Sequence, residues 1–404
     1  MASLVSEVFA GDASSALEAA QQLEQTARFL DLEKWIVQRL RHSERESQLH
    51  SQIITDDGQP RIVRALRVQH SSVRGPGMGP LLFSKNLSAS DVHAIAMNLT
   101  WQWALWKLPL SGSAGLISSD LNELSEREAR LLTRCYATEM PALFGSQTDV
   151  TTPARDSHPQ IMAWAMAALG PSESRSTSIV GKPISMGGVD RAGLAARFLR
   201  TLFALVMKQF GLAAKGACIA ILGFDETARR IALELERTGT RVVAIADHSG
   251  GVCDPAGLNV GLLIQHAEKE QVLFGYPEAK PISVEDLLQL KSDALLLCCE
   301  DLGQPATAGV VFESGAKVNC VLPGKTSVIP SLLADFGLQF ASFCEWRKNS
   351  WGAFSEMESL RGMPLYVRNV WQEVWDYAQR HELTVKEAAL TLAVSRMAEA
   401  MRMA

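Results

Sequence analysis

The sequence predicts an α/β protein of two domains, the second built on a parallel sheet, and three observations carry that expectation. The chain is 404 residues long, more than one ordinary domain accommodates. Its second half alternates short apolar runs, "ACIAIL", "RVVAIAD" and "ALLLCC", with helical patterns, the signature of parallel strands joined by right-handed crossovers. Between the halves lies "GPSESRSTSIVGKP" (170–183), polar and rich in Ser, Gly and Pro, which reads as the best boundary in the chain.

The elements follow in order. Residues 14–41 have helical spacing of Leu17, Ala20, Leu23, Ala27 and Leu30. Two strand-like runs, "SQIIT" and "RIVRALRVQH", flank the turn signal Asp56-Asp57-Gly58. "ASDVHAIAMNLTWQWALW" predicts a long helix with Ser90 or Asp91 as N-cap, and a third helix is expected from Ser125 to Glu139. In "TWQWALWKLPLSGSAGLI" (100–117) the helix breaks at Pro109 and ends in a small-residue turn, Ser111 to Gly115, open enough for a ligand yet without charge. Another helix begins near Gln160.

Past the boundary, "ACIAIL" leads to a helix from about Glu226, then "RVVAIAD", a helix near "LNVGLLIQHAEK", and the strands "ALLLCC" and "KVNCVL". The last helix, "LTVKEAALTLAVSRMAEAMRM", opens with Thr384 and Glu387 at capping-box spacing. Its apolar stripe of Ala388, Leu392 and Met397 is expected to pack back onto another element.

Composition narrows the function classes. A net charge of −5, from 39 basic and 44 acidic residues, leaves no electrostatic footprint for nucleic acid or an anionic membrane. No apolar run reaches the ~20 residues of a membrane span. The first segment, "MASLVSEVFAGDASSALEAA", carries Glu7 and Asp12 and does not read as a signal peptide. Seven scattered cysteines, without C-x-x-C spacing, argue against zinc and for a reducing, cytoplasmic setting.

The turn after "ACIAIL" reads "LGFDETARR". A dinucleotide fingerprint there is G-x-G-x-x-G/A, in which the second glycine lets the pyrophosphate approach the backbone. Gly223 and Ala228 fit the first and third places, but Asp225 occupies the second. A carboxylate about 4 Å from a phosphate charge costs on the order of 4 kcal/mol at an effective dielectric near 20. Asp247, 24 residues after Gly223, stands where a ribose hydroxyl finds its partner. Two readings stay open: a Rossmann-like unit kept as a structural layer with Asp225 capping the next helix, or retained nucleotide binding.

Together these pieces resemble the glutamate dehydrogenase family, the Glu/Leu/Phe/Val dehydrogenases. "RVQHSSVRGP" is similar to the family's R-V-Q-H-N, "MNLTWQWALWKLP" to M-T-W-K-N-A-L-x-x-L-P, and "GKPISMGG" to G-K-P-x-x-x-G-G. "ADHSGGVCDPAGLNV" is similar to S-D-S-S-G-G-I-Y-x-P-x-G-L-D, and "CEWRKN" to F-E-W-x-x-N. The resemblance runs from about residue 35 to the C-terminus. It implies an N-terminal substrate and assembly domain (1–175) completed by C-terminal helices (341–404), and an NAD(P)-type nucleotide domain (176–340). It also implies a hexamer, pure or mixed, and NAD(P)-linked oxidative deamination of an amino acid.

The resemblance gives the uncharged turn a meaning. The family's G-G-G-K-G-G lysine, which polarises the substrate carbonyl, falls on Ala114. The substrate-carboxylate lysine of T-W-K-N-A falls on Gln102, the lysine of G-P-x-K-G-G-I-R on Met78, and the catalytic aspartate of P-A-P-D-V-G-T on Ala154. A nicotinamide-contacting threonine becomes Ala192, Lys325 stands where a cofactor-contacting asparagine belongs, and Ser342 keeps the place of a substrate-contacting serine. Met78 and Ala114 also read as core filling and Gln102 as a solvated residue. Lys107, Arg155 and Lys325 are candidate replacements, and His158 is either a relocated base or a surface residue.

With no catalytic group intact, the expectation is a non-catalytic subunit of glutamate dehydrogenase type. It would co-assemble with an active dehydrogenase in a hetero-hexamer and modulate it, with an amino acid as a possible effector in the vacated cleft. The alternatives are an active amino-acid dehydrogenase with a rewired site and a stand-alone ligand sensor.

Overall fold

The computed structural model describes residues 14–140, 145, 147–155, 157–170, 177–298, 306–315, 326–351 and 356–404. Two compact units emerge: Met1–Val189 with Ser342–Ser355 and Leu390–Ala404, and Asp190–Ala341 with Glu356–Ala389. The division falls at Val189/Asp190, past the polar stretch 170–183, and 356–389 goes with the second unit.

In the first unit the 14–41 pattern is two helices, α1 (Ser14–Phe29) and α2 (Lys34–Arg41), separated where Asp31 takes a left-handed φ of 49°. Strands β1 (Arg45–Ile54) and β2 (Pro60–Gln69) form the expected antiparallel hairpin, with Ile54 opposite Pro60. Next come β3 (Gly77–Phe83), α3 (Ala89–Leu105), β4 (Ser111–Ile117), α4 (Glu126–Glu139), β5 (Asp149–Pro153) and α5 (Gln160–Leu169). The sheet order is β1-β2-β4-β3-β5. The N-cap of α3 is Ser88, not Ser90 or Asp91. Asp91 is the third helical residue, and its carboxylate accepts the Ser88 N–H at 2.8 Å, closing a capping box.

The structure overturns the expected turn at Ser111 to Gly115. Those residues begin β4, the middle strand of the sheet, and every residue of that strand is buried. Its small residues serve close packing on both faces. On one face Ala114 and Leu116 join Leu66, Val68, Val92 and Ala96, and a Cβ at Gly112 would overlap the α3 backbone at Ala96 and Thr100. On the other face a Cβ at Gly115 would overlap the Tyr136 hydroxyl. Local composition suggested a loop; tertiary contact on both sides makes a strand.

The second unit is a seven-stranded sheet in the order β12-β11-β10-β6-β7-β8-β9. The strands β6 (Cys218–Leu222), β7 (Arg241–Asp247), β10 (Ser292–Leu297), β11 (Ala308–Glu313) and β12 (Ser327–Ile329) are mutually parallel, as the apolar runs predict. The strands β8 (Gly250–Cys253) and β9 (Lys280–Ile282) extend it antiparallel, the chain reversing at Gly250 with φ +127°. The strand expected at "KVNCVL" lies outside the described residues.

Helices of this unit are α6 (Arg191–Gln209), α7 (Glu226–Arg237), α8 (Val260–Glu270), α9 (Val284–Gln289), α10 (Ser331–Ala334) and α12 (Glu356–His381). Two others, α11 (Phe336–Trp351) and α13 (Val385–Met403), contribute residues to both units. Helix α13 starts with the expected box, Glu387 accepting the Thr384 N–H at 2.8 Å and returning its own N–H to the Thr384 hydroxyl at 3.2 Å. No described helix is long and apolar enough to cross a membrane.

Candidate functional site

The singled-out positions of the first unit cluster around the parallel strands. Met78 on β3 stands opposite Gly112 of β4 and Val150 of β5, and its carbonyl accepts the Trp103 indole N–H at 3.2 Å. Ala114 on β4 stands opposite Val68. Both side chains are wholly buried, at 0% exposure. Ala114 packs among the aliphatic side chains of Leu66, Val68, Val92, Ala96 and Leu116. Gln102 is buried on α3 rather than solvated, and Ala154 follows the last residue of β5, half-buried. Ser342 is buried on α11.

The candidate replacements land differently. Lys107 is exposed just past α3, with a left-handed φ of 55°. His158 is also exposed, and its Nδ1 accepts the Gln160 N–H at 3.2 Å, so it ties off the start of α5. Arg155 is half-buried. Lys325 lies outside the described residues.

Two buried charge pairs lie near these positions, and reading the sequence did not single them out. Arg67 on β2 donates Nε to Asp149 at 2.8 Å and Nη2 to the other carboxylate oxygen at 2.6 Å. Both side chains are completely buried. The guanidinium also donates to Ser113 Oγ at 2.7 Å and to the carbonyls of Gly79, Pro80 and Val150 at 3.2–3.3 Å. Burial works against its charge, but Asp149 and Tyr136 together outweigh that and raise the Arg67 pKa above the ordinary arginine value. Burial pushes the neighbouring Tyr136 phenol up to about 12.

The second pair joins two of the recognised motifs. Glu345 on α11 accepts the N–H groups of Gly181 (2.9 Å) and Lys182 (3.3 Å), and stands 3.8 Å from the Lys182 ammonium. Burial holds the Lys182 pKa below its ordinary value, partly offset by Glu345. The available signal was that Arg67, Lys182 and Glu345 all sit inside quoted motifs.

In the second unit the turn after β6 is shaped for a helix cap. Gly223 adopts φ +98°, and its N–H donates to Ala246 at 2.7 Å. Asp225 is the N-cap of α7: its Oδ1 accepts the Ala228 N–H at 2.6 Å. That N–H belongs to the set of helix-terminal donors a pyrophosphate would use. Asp247 Oδ1 accepts the Ser249 N–H at 2.8 Å and hydroxyl at 2.6 Å. The helix terminus is thus capped from within the chain by the carboxylate that stands at the second glycine position.

A helical and sheet-built first unit combined with a parallel, dinucleotide-type sheet defines the class of two-unit α/β dehydrogenase folds. Residues 43–170 match the Glu/Leu/Phe/Val dehydrogenase dimerisation domain, and residues 187–302 match the Glutamate/Leucine/Phenylalanine/Valine dehydrogenase domain. The chain belongs to the Glu/Leu/Phe/Val dehydrogenase family. It is 30% identical to glutamate dehydrogenase A2 of Halobacterium salinarum, over 94% of this chain and 95% of that protein. With the NAD-specific glutamate dehydrogenase A of the same organism it shares 28% identity over 96% of this chain and 92% of the relative. Among solved structures it is similar to the hetero-hexameric glutamate dehydrogenase of Thermus thermophilus in its Leu-bound form. That match has a TM-score of 0.85 at 27% identity and covers 95% of both chains.

Proposed function

We propose that this chain is a non-catalytic, regulatory subunit that assembles with an active glutamate dehydrogenase and modulates it, with an amino acid as effector. The observation that carries this reading is Ala114, which stands in the catalytic lysine's place and is sealed at 0% exposure into an aliphatic cluster. Met78, Gln102 and Ala154 likewise supply no ionisable group where the family's chemistry needs one. General acid–base groups contribute ~10²–10⁴ in rate, so their joint loss removes ordinary turnover. The hetero-hexameric relative of Thermus thermophilus supports mixed assembly. A coupling free energy of ~1–3 kcal/mol between subunits suffices for regulation.

The test is a titration of this chain into an active glutamate dehydrogenase from the same source, following consumption of reduced cofactor with 2-oxoglutarate and ammonia. The chain alone is expected to show no rate above buffer, and the mixture a changed rate or a changed response to amino acids. Turnover by the chain alone would sink the proposal.

On this reading the chain holds no NAD(P). Titration with reduced dinucleotide, read by its fluorescence, is expected to show no saturation for the parent. Asp225→Gly removes the carboxylate at a cost of only a few tenths of a kcal/mol in capping. The variant is expected to bind the dinucleotide at least about tenfold more tightly than the parent, since up to ~4 kcal/mol of repulsion is lifted. Saturable binding by the parent, unchanged in the variant, would refute the role given to Asp225.

A further inference from the structure

Apart from the family positions, the first unit holds a cavity of about 330 Å³ between α1, the end of α2 and the first half of α3. Its lining mixes two kinds of group. Ala20 and Leu23 of α1 and Ala94 and Met97 of α3 contribute apolar side chains. Arg41 at the end of α2, His42 and Ser43 just after it, and Ser90 and His93 from the same face of α3 contribute polar ones.

The polar groups are held in place. The His93 ring bridges two partners, Nδ1 lying 2.7 Å from the Ser43 hydroxyl and Nε2 lying 2.8 Å from the Glu46 carboxylate. His70, also lining the cavity, is fixed by Thr100 at Nδ1 and the Leu40 carbonyl at Nε2, each at 2.9 Å. A carbonyl can only accept, so Nε2 carries a proton, and burial lowers the ring's pKa to about 4, which leaves it neutral near pH 7. The permanent charge on the lining is therefore Arg41. One of its nitrogens meets Glu24 at 2.5 Å in an exposed pair, and a guanidinium has further N–H donors to offer.

We propose that this cavity binds a small organic monocarboxylate with an apolar body. Its carboxylate would meet Arg41 and the hydroxyl and imidazole groups beside it, and its body would lie against Leu23 and Met97. The carboxylates that touch the lining, Glu24 and Glu46, are already paired with Arg41 and His93. An amino acid's ammonium group would have to compete with those two for a counter-charge, which disfavours a zwitterion. A bare phosphate would leave the apolar groups uncovered. This site is separate from the vacated family positions, and the measurement uses this chain alone, so its outcome does not depend on co-assembly.

The experiment is calorimetric titration of the full chain with 3-phenylpropanoate, compared with its neutral amide and with phenylalanine, which adds only the ammonium group. Saturable binding of the carboxylate is expected, with the amide and phenylalanine each weaker by about tenfold or more. Arg41→Gln is expected to weaken carboxylate binding by a similar factor. Ser90→Phe, placed at an exposed position on the rim, is expected to abolish it while leaving the melting temperature unchanged. Absence of saturation up to about 10 mM would overturn the proposal. Equal affinity for the amide or for phenylalanine would overturn the ligand class, and indifference to both substitutions would overturn the location.

Discussion

Arg67→Met is expected to lower the stability of the first unit by about 3–5 kcal/mol, the usual cost of removing one partner from a buried ion pair. The loss comes less from the missing attraction than from what remains. Asp149 is left at 0% exposure without the paired donors at 2.6 and 2.8 Å. Ser113 Oγ still donates to it at 2.7 Å, but one neutral donor does not replace a fork. The carbonyls of Gly79, Pro80 and Val150 lose a donor at the same time. Urea unfolding followed by tryptophan fluorescence reads the change, because Trp101, Trp103 and Trp106 are buried in this unit. Adding Asp149→Leu should restore part of the loss, since the uncompensated charge is then gone. If Arg67→Met unfolds at the parent's midpoint, the pair does not hold β2 to β5.

Gly112→Ala is expected to be of similar severity, about 3 kcal/mol, through overlap alone. The added methyl would enter the α3 backbone at the Ala96 carbonyl and the Thr100 N–H. Backbone cannot swing aside as a long side chain can, so α3 must lift from β4. It would then drag on the cluster of Val92, Ala96 and Ala114 and on the Thr100 hydroxyl, which accepts the Gly112 N–H at 2.9 Å. Gly362→Ala is the control. It lies within α12, a Cβ there meets nothing within 4 Å, and the change should be neutral or stabilise by up to about 1 kcal/mol. Equal midpoints for the two variants would show that β4 and α3 do not pack as closely as described.

Both substitutions bear on the stretch where expectation and structure parted. "SGSAG" is composed like a loop, and its one family landmark, the lysine position, marks a ligand-facing turn. What makes it a strand is invisible locally: a helix backbone on one face, and Arg67 with Tyr136 on the other, leave space only for Gly, Ser and Ala. The same limit hid Asp149. It reads as an ordinary acidic residue until β2 and β5, separated by two other strands in the sheet, are joined through Arg67.

Other features were legible because their cause is local. Capping at Thr384 depends on residues three apart, and the hairpin at Asp56-Asp57-Gly58 on turn chemistry. Asp225 as a cap belongs here too, since its partner Ala228 is three residues away. The parallel sheet followed from apolar runs long enough to be buried on both faces.

The sequence by itself thus determined the family, the two-part α/β plan and the cap of the last helix, because each is written in residues close together or in recognisable order. Only the tertiary structure decided that Ala114 is sealed into a core, that Arg67 and Asp149 neutralise each other, and that Arg41, His93 and Met97 enclose a cavity. Burial and charge pairing depend on which distant segments meet, and no spacing along the chain records that.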